Sequence, residues 1–266
     1  MRPGTRFRSG ATRPAGHIFY IPASERPTDD PKGRPHYLVN RCDPGADPFA
    51  VATLAHMSTK ATEHTEYGSP VHEIETHGSL NKPNQAGSYV IAARLLPRNP
   101  ERLVVSAMSA VNAVRSVRQS VLLAVGLGEG IATAGRSSVR GRLVRVLDPG
   151  VDARYGCVLT GHAYSASRRY QVIVPIMDRI VAGIDGPEIL EPTRWDVVPT
   201  REPWWDVLPL HSPMLDTAGL ISLSEPWRQI RDRRKWLKPQ IEILPVSIDD
   251  ATLATVEARI VERLQQ

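Results

Sequence analysis

Cysteine is scarce in this sequence, and long apolar runs are absent. Cys42 and Cys157 are the only cysteines among 266 residues. Two isolated thiols support neither a disulfide framework nor a cysteine zinc site, so we expect a reducing, cytoplasmic location. No stretch of about 20 residues is apolar and uncharged, which argues against a transmembrane helix. The arginines near the N-terminus precede no apolar core, so we expect no secretory signal.

Lysine is scarce as well, because 28 of the 33 basic residues are arginine. The net charge is +5. Arginine pairs with phosphate through a planar fork, so this bias is compatible with nucleic-acid contact. A GC-rich genome also raises the arginine content, and the composition leaves both explanations open.

Two stretches of the chain resemble each other, which indicates an internal duplication. In both, short runs of β-branched and aromatic residues are bounded by Gly, Pro and Asp, a pattern typical of strands. Arg34 and Ser58 are 24 positions apart in the first stretch, as are Arg154 and Asp178 in the second. This alignment places Asp178 where the first stretch has a serine.

The composition, 41% apolar and 23% charged residues, is that of one or two globular domains. We predict two domains, residues 14–126 and 140–266, joined by a Gly- and Ser-rich linker at 127–139. The expected class is α+β and mainly β, with several strands and one closing helix in each domain.

A helix is expected at the end of each domain. The first is predicted to begin at Asn99 and Pro100, an N-cap and first-turn pair, and to stop at Gly126. The second is predicted to begin near Ser247, where Asp250 completes a capping-box spacing. Its apolar face is formed by Leu253, Val256, Ile260 and Leu264.

Four short segments carry a family pattern. Residues 16–21 form an opening apolar strand, and residues 33–35 are a Gly-Arg-Pro loop before the next strand. Residues 172–178 end in Pro-Ile-Met-Asp, and residues 219–223 precede a basic run. In these segments the chain resembles the PemK/MazF-like toxins, which are small bacterial ribonucleases.

This resemblance implies two tandem SH3-like β-barrel domains, each closed by a C-terminal helix. It also implies an enzyme without metal or cofactor that binds single-stranded RNA in a groove between two subunits, and an antitoxin protein as partner. Because one chain would hold both subunits, we expect either a monomeric pseudo-dimer or a homodimer.

The candidate catalytic residues lie in the first half. Arg34 carries a permanent charge that donates two hydrogen bonds to phosphate, and the resemblance pairs it with a hydroxyl at Ser58 or Thr59. His36 and His56 are candidate proton carriers, because imidazole titrates near neutral pH. The same residues are compatible with structural roles, an ion pair or turn for the arginine and strand packing for the histidines.

The second half departs from the family pattern. Arg154 matches Arg34, but the alignment gives it Asp178, whose carboxylate would repel phosphate. We therefore expect a degenerate site that is structural or forms a wall of the RNA groove. The candidate RNA-binding residues are Arg154, Arg228, Arg231, Arg234, Trp227 and Trp236. A solvated basic face with inward-packed tryptophans is the alternative.

Two further regions remain without a function at this level. Histidines and glutamates are frequent from His56 to His77, but their spacing matches no metal motif, so we expect no metal site. The Trp- and Pro-rich segment 195–213 is compatible with a partner surface or with packing onto the barrel.

The favoured function is a toxin-type endoribonuclease that uses the 2′-OH of RNA as nucleophile. The alternative is a catalytically inactive, toxin-derived module that binds nucleic acid or protein. A relative of the gyrase poisons with the same fold ranks last, because Gln265-Gln266 stands where an aromatic tail would be required.

Overall fold

A computed structural model describes most of the chain. The described residues are 5–25, 33–47, 50–59, 71–74, 88–127, 139–161, 170–178, 189–190, 195–197, 213–224 and 239–265. They form two antiparallel sheets and two α-helices, so the prediction of a mainly β, α+β fold is confirmed. Within these ranges neither sheet closes on itself. No helix among them is long and apolar enough to cross a membrane.

The first half builds a six-stranded sheet followed by a helix. Its strands are β1 (His17–Ile21), β2 (Arg34–Leu38), β3 (Ala52–Ser58), β4 (Val71–Ile74), β5 (Ser88–Arg98) and β6 (Ser106–Ser109). Their order in the sheet is β4-β5-β3-β2-β1-β6. Helix α1 (Val114–Ala124) follows.

The second half builds an eight-stranded sheet, also followed by a helix. Its strands are β7 (Arg142–Val146), β8 (Tyr155–Val158), β9 (Tyr170–Asp178), β10 (Ile189–Leu190), β11 (Trp195–Val197), β12 (Pro213–Asp216), β13 (Ile221–Ser224) and β14 (Ile241–Ile248). The order is β10-β12-β9-β8-β7-β14-β11, with β13 paired to β9. Helix α2 (Asp250–Gln265) follows.

The two sheets repeat one topology. Strands β7, β8 and β9 take the places of β1, β2 and β3, and β14 takes the place of β6. Strands β12 and β13 pair with the two ends of β9 as the long β5 pairs with β3. Gly16 and Gly141, both at positive φ, begin the first strands and donate 2.8 Å hydrogen bonds to Leu38 and Val158. The duplication read from the sequence therefore has a structural counterpart.

Strand register sharpens the alignment of the two halves. Tyr37 pairs with Ala55 in the first sheet, and Cys157 pairs with Val174 in the second. All four side chains belong to the same core, so the pairs are equivalent. The segment from Cys157 to Val174 in the second half is therefore one residue shorter than the segment from Tyr37 to Ala55 in the first half.

This shorter connection corrects the sequence alignment by one position. Arg34 still corresponds to Arg154, but Ser58 corresponds to Met177. Asp178 corresponds to Thr59. The expected repulsion by an aspartate at the serine position is therefore wrong, and the second half has a thioether there instead.

Helix α1 begins later than predicted. Asn99 accepts a 2.8 Å hydrogen bond from the amide of Glu101, but this cap starts only a 3-10 turn, Pro100–Arg102. The chain that follows is extended instead: Val105 forms a bridge with Arg6, and Ser106–Ser109 pairs with β1 as strand β6. The predicted stop is confirmed, since Gly126 has φ 77° just after the helix.

Helix α2 matches its prediction except at the first turn. Asp249 caps it, accepting a 3.0 Å hydrogen bond from the amide of Thr252, whereas Ser247 lies in β14 opposite Arg142. The predicted apolar face is confirmed, with Val256, Ile260 and Leu264 buried.

The main hydrophobic core is shared by both halves. Its side chains come from both sheets and both helices, among them Ile18, Ala55, Val117, Val121, Leu143, Val174, Val256 and Ile260. Each fully buried aliphatic side chain of this kind contributes about 1.5–3 kcal/mol. Neither half encloses this core alone.

Equivalent elements face each other where the halves meet. β5 packs against β13, where the amide of Leu95 donates a 2.6 Å hydrogen bond to Ser222 Oγ. The guanidinium of Arg94 lies 4.4 Å from the centre of the Tyr170 ring, and α1 contacts α2. The two halves therefore contact each other through equivalent elements of their sheets and through their helices.

The C-terminal end of each helix accepts a hydrogen bond from an arginine of the other half. Arg118 on α1 donates to the carbonyl of Val39 at 3.1 Å and to Gln265, in the last turn of α2, at 3.5 Å. Cations next to a helix C-terminus interact favourably with its carbonyl groups.

The reciprocal contact comes from Arg140 in the second half. Its guanidinium donates to Leu159, the counterpart of Val39, and to Val125 at the end of α1 at 2.6 Å. It also pairs with Glu257 on α2. Each arginine therefore connects a carbonyl of its own half with the end of the helix of the other half.

Candidate active site

One face of the first sheet collects the predicted catalytic residues. Arg34 pairs with Ile21 across β1 and β2, and His36 pairs with His56 across β2 and β3. Side chains alternate along a strand, and paired residues of an antiparallel ladder share a face. Arg34, His36, His56 and Ser58 therefore lie on one face, with Arg34 and Ser58 level at its edge.

The same level of the sheet continues across two more strands. Ser58 pairs with Tyr89 on β5, and Tyr89 pairs with Glu73 on β4. We call Arg34, Ser58, Tyr89 and Glu73 the polar row. It presents a cation, a hydroxyl, a phenol and a carboxylate side by side, near the ends of four adjacent strands.

Thr59 is separated from this row. It lies in a bend after the end of β3 and is exposed. The strand ladder that aligns Ser58 with its neighbours ends before this residue. Of the two predicted hydroxyls, Ser58 is therefore the one on the same face as Arg34.

The two histidines lie beneath the polar row and not at its surface. His36 is 2% and His56 is 4% exposed, and their ring centres are 5.4 Å apart in an edge-to-face arrangement. Nδ1 of His36 lies 3.0 Å from the carbonyl oxygen of Arg34 and donates to it. Buried in this way, they support the backbone of Arg34 and do not meet solvent.

Tyr89 and Glu73 were not among the catalytic residues predicted from the sequence. The sequence indicates which residues of one strand share a face, but it does not show which residues of distant strands pair with each other. The register that brings Tyr89 and Glu73 level with Ser58 was the missing information.

The second half has lost this polar row. Arg154 is retained and exposed, but Met177 replaces the serine and Met214, its partner on β12, replaces the tyrosine. Met214 is 9% exposed. The counterpart of a polar surface is therefore mostly apolar and contains no hydroxyl at these two positions.

A cleft of about 430 Å³ lies between this degenerate surface and the first half. Pro175 and Met177 line it from β9, and Leu96 and Arg98 line it from β5. Carboxylates of Asp152 and Asp216 are also in its lining. The cleft joins residues of both halves, as an internal dimer interface would.

Several predicted RNA-binding residues lie outside the described residues. They are Arg228, Arg231, Arg234, Trp227 and Trp236. Most of segment 195–213 also lies outside, except for strand β11, which pairs with β14, and Pro213, which begins β12. Arg154 is the one candidate of this set that the structure places.

The cysteines do not form a reactive site. Burial raises the pKa of the Cys42 thiol to about 12, and that of Cys157 to about 12 as well. Both are therefore protonated at neutral pH and are poor nucleophiles and ligands. In the part of the chain that the structure describes, no group of three His, Cys, Asp or Glu residues is arranged to hold a metal ion.

No family model matches the chain, and no curated protein matches it. The resemblance to PemK/MazF-like toxins therefore depends on the sequence motifs alone.

Proposed function

We propose that the protein is a toxin-type, metal-independent endoribonuclease that cleaves single-stranded RNA. The observation that carries this proposal is the placement of Arg34 and Ser58, level on adjacent strands of one sheet face. Both are half-buried, so each keeps part of its side chain accessible. A guanidinium and a hydroxyl at this spacing suit the two oxygens of a phosphodiester.

The chemistry needs a site that binds the charge that develops on phosphorus. In the reaction the 2′-oxygen attacks its own phosphate and the 5′-oxygen leaves, giving a 2′,3′-cyclic phosphate. Arg34 remains charged throughout and stabilises the phosphorane oxygens, with Ser58 donating a second hydrogen bond. Pro35 and the bond from His36 hold the backbone of Arg34 in place.

We further propose that the two halves are tandem SH3-like barrels arranged as an internal pseudo-dimer. The repeated strand order and the contact between equivalent elements support this. In this arrangement single-stranded RNA lies between the halves, and an antitoxin protein competes for the same groove in the cytoplasm. A solution mass near 29.3 kDa would support the monomeric form, and twice that mass a homodimer.

The test is cleavage of a long single-stranded RNA by the purified protein in EDTA. Wild type should give discrete fragments that end in 2′,3′-cyclic phosphate. Arg34→Ala should lose at least about 100-fold in rate, as expected for removal of one donor to a developing oxyanion. Arg145→Ala, which removes a half-exposed arginine of β7 paired with Glu242, is the control and should retain activity within about threefold.

A second candidate is a toxin-derived module that binds RNA without cleaving it. The loss of polar side chains at Met177 and Met214 favours it, because one half has already lost the catalytic pattern. Intact RNA together with retained binding would favour this module. Cleavage that Arg34→Ala leaves unchanged would contradict the proposed site.

A further inference from the structure

The polar row contains a carboxylate that the proposed phosphate site does not use. Glu73 lies on β4, pairs with Tyr89 and is exposed. Within the described ranges no hydrogen bond or ion pair holds its side chain. It is therefore available to a molecule that binds along the row.

The spacing of the row matches the parts of one nucleotide step. Neighbouring strands are about 4.8 Å apart, so the Cα atoms of Ser58 and Glu73, two strands apart, are separated by about 10 Å. If a phosphate binds between Arg34 and Ser58 and its ribose extends toward β4, that ribose passes over Tyr89 and its 2′-hydroxyl comes within reach of Glu73.

We propose that Glu73 is the general base of the ribonuclease reaction, an inference that rests on the proposed function. Its carboxylate takes the proton of the 2′-hydroxyl while the 2′-oxygen forms a bond to phosphorus. The bond from phosphorus to the 5′-oxygen breaks, and the departing oxygen takes a proton from water. The products are a 2′,3′-cyclic phosphate and a 5′-hydroxyl, with no net change of protons on the enzyme after Glu73 releases its proton to solvent.

The other candidates for this role are placed less well. His36 and His56 are buried beneath the row and face the backbone and each other. His72 is next to Glu73 on β4, but strand alternation directs it to the opposite face. Tyr89 carries an aromatic ring between Ser58 and Glu73, a position suited to stacking on a base.

The experiment measures single-turnover cleavage and RNA affinity for wild type, Glu73→Gln, Glu73→Asp and His72→Gln. Glu73→Gln should cleave at least about 100-fold more slowly with unchanged affinity, as expected for loss of a general base. Glu73→Asp should recover part of the rate, and His72→Gln should equal wild type within about threefold.

Failure of this assignment is distinguishable from failure of the proposed function. If wild type cleaves and Glu73→Gln cleaves within threefold of it, the assignment to Glu73 is wrong and the ribonuclease stands. If wild type leaves RNA intact, both proposals are overturned. Equal melting temperatures of Glu73→Gln and wild type would attribute a lost rate to chemistry, since the side chain is exposed.

Discussion

The two halves of the molecule share a framework but differ in the surface that the framework presents. In the first half, Ser58 and Tyr89 stand level with Arg34, whereas Met177 and Met214 occupy the equivalent positions beside Arg154. The strand pairings beneath these side chains correspond, although the continuous β5 is replaced by the two strands β12 and β13. The comparison teaches that strand pairing and core packing are retained independently of the residues at the sheet edge.

The buried positions behave differently from the edge. Ile18 and Leu143 are equivalent and both fully buried, as are Tyr37 and Cys157 at 0% exposure. These pairs differ in shape yet face the same shared core. Buried positions tolerate a change of apolar side chain when the total volume is kept, whereas a catalytic hydroxyl has no apolar substitute.

The largest effect is expected from substitutions in the core that the two halves share. Ile18→Ala and Leu143→Ala should each lower the free energy of unfolding by about 3 kcal/mol, because each leaves a cavity in the shared core. All five tryptophans lie in the second half. Ile18→Ala should therefore shift the urea transition followed by tryptophan fluorescence as far as the one followed by circular dichroism.

Val104→Ala serves as the control, because that side chain is 40% exposed and should change stability by less than about 0.5 kcal/mol. An unchanged fluorescence transition in Ile18→Ala would mean that the halves unfold separately.

The second-largest effect is expected when Ser58 is replaced by methionine, the residue at the equivalent position of the second half. Ser58→Met should reduce RNA cleavage by about 100-fold, because the hydroxyl that donates to the phosphate is lost. Ser58→Thr keeps the hydroxyl and should stay within about threefold of wild type. A Ser58→Met variant with more than a tenth of the wild-type rate would remove Ser58 from the proposed site.

A smaller effect is expected at the arginines that connect the halves. Arg140→Met should cost about 2 kcal/mol, because it removes a charged donor from Leu159 and Val125 in a site where its side chain is 11% exposed. Arg118→Met should cost less, since its bond to the end of α2 is 3.5 Å long. Urea denaturation measures both.

Arg145→Met provides the control for these two variants. Its salt bridge to Glu242 is about half exposed on both sides, so its loss should cost less than about 0.5 kcal/mol. Equal losses at Arg140 and Arg145 would contradict a special role for the contact with the helix end.

The smallest effect concerns pH. Burial lowers the pKa of His17, which lies 2.9 Å from Ser106 Oγ. The unfolded chain then binds the proton more readily, so stability is full above the ordinary pKa of about 6.5 and falls as pH decreases through the folded value. The equivalent residue of the second half is Arg142, so this histidine has no counterpart there.

His17→Gln should therefore reduce the difference in unfolding free energy between pH 7.5 and pH 5. A difference as large as that of wild type would assign the pH dependence to another group.

Local signals in the sequence predicted the regular elements better than their boundaries. The stop of α1 at Gly126 and the apolar face of α2 follow from positive φ and helical spacing. Val104 and Met108 are spaced as in a helix, but pairing of Met108 with β1 and of Val105 with Arg6 makes this region extended. Tertiary pairing overrides local periodicity there.

The site was predicted in part for the same reason. Arg34 and Ser58 could be placed together because the loop motif and the strand end are local features. Their alignment with Tyr89 and Glu73, and the match of Ser58 to Met177, depend on register. The sequence alone does not show that the segment joining β8 and β9 is one residue shorter than the segment joining β2 and β3.

The cross-connected helix ends have a consequence for the order of synthesis. The carbonyls of Ala124 and Val125, at the end of α1, accept hydrogen bonds from Gly161 and Arg140. Those partners leave the ribosome only after the first half has emerged. During synthesis, the first half therefore has unpaired carbonyl groups at the end of α1 and an exposed apolar core face. Its folding is completed only when the second half has emerged.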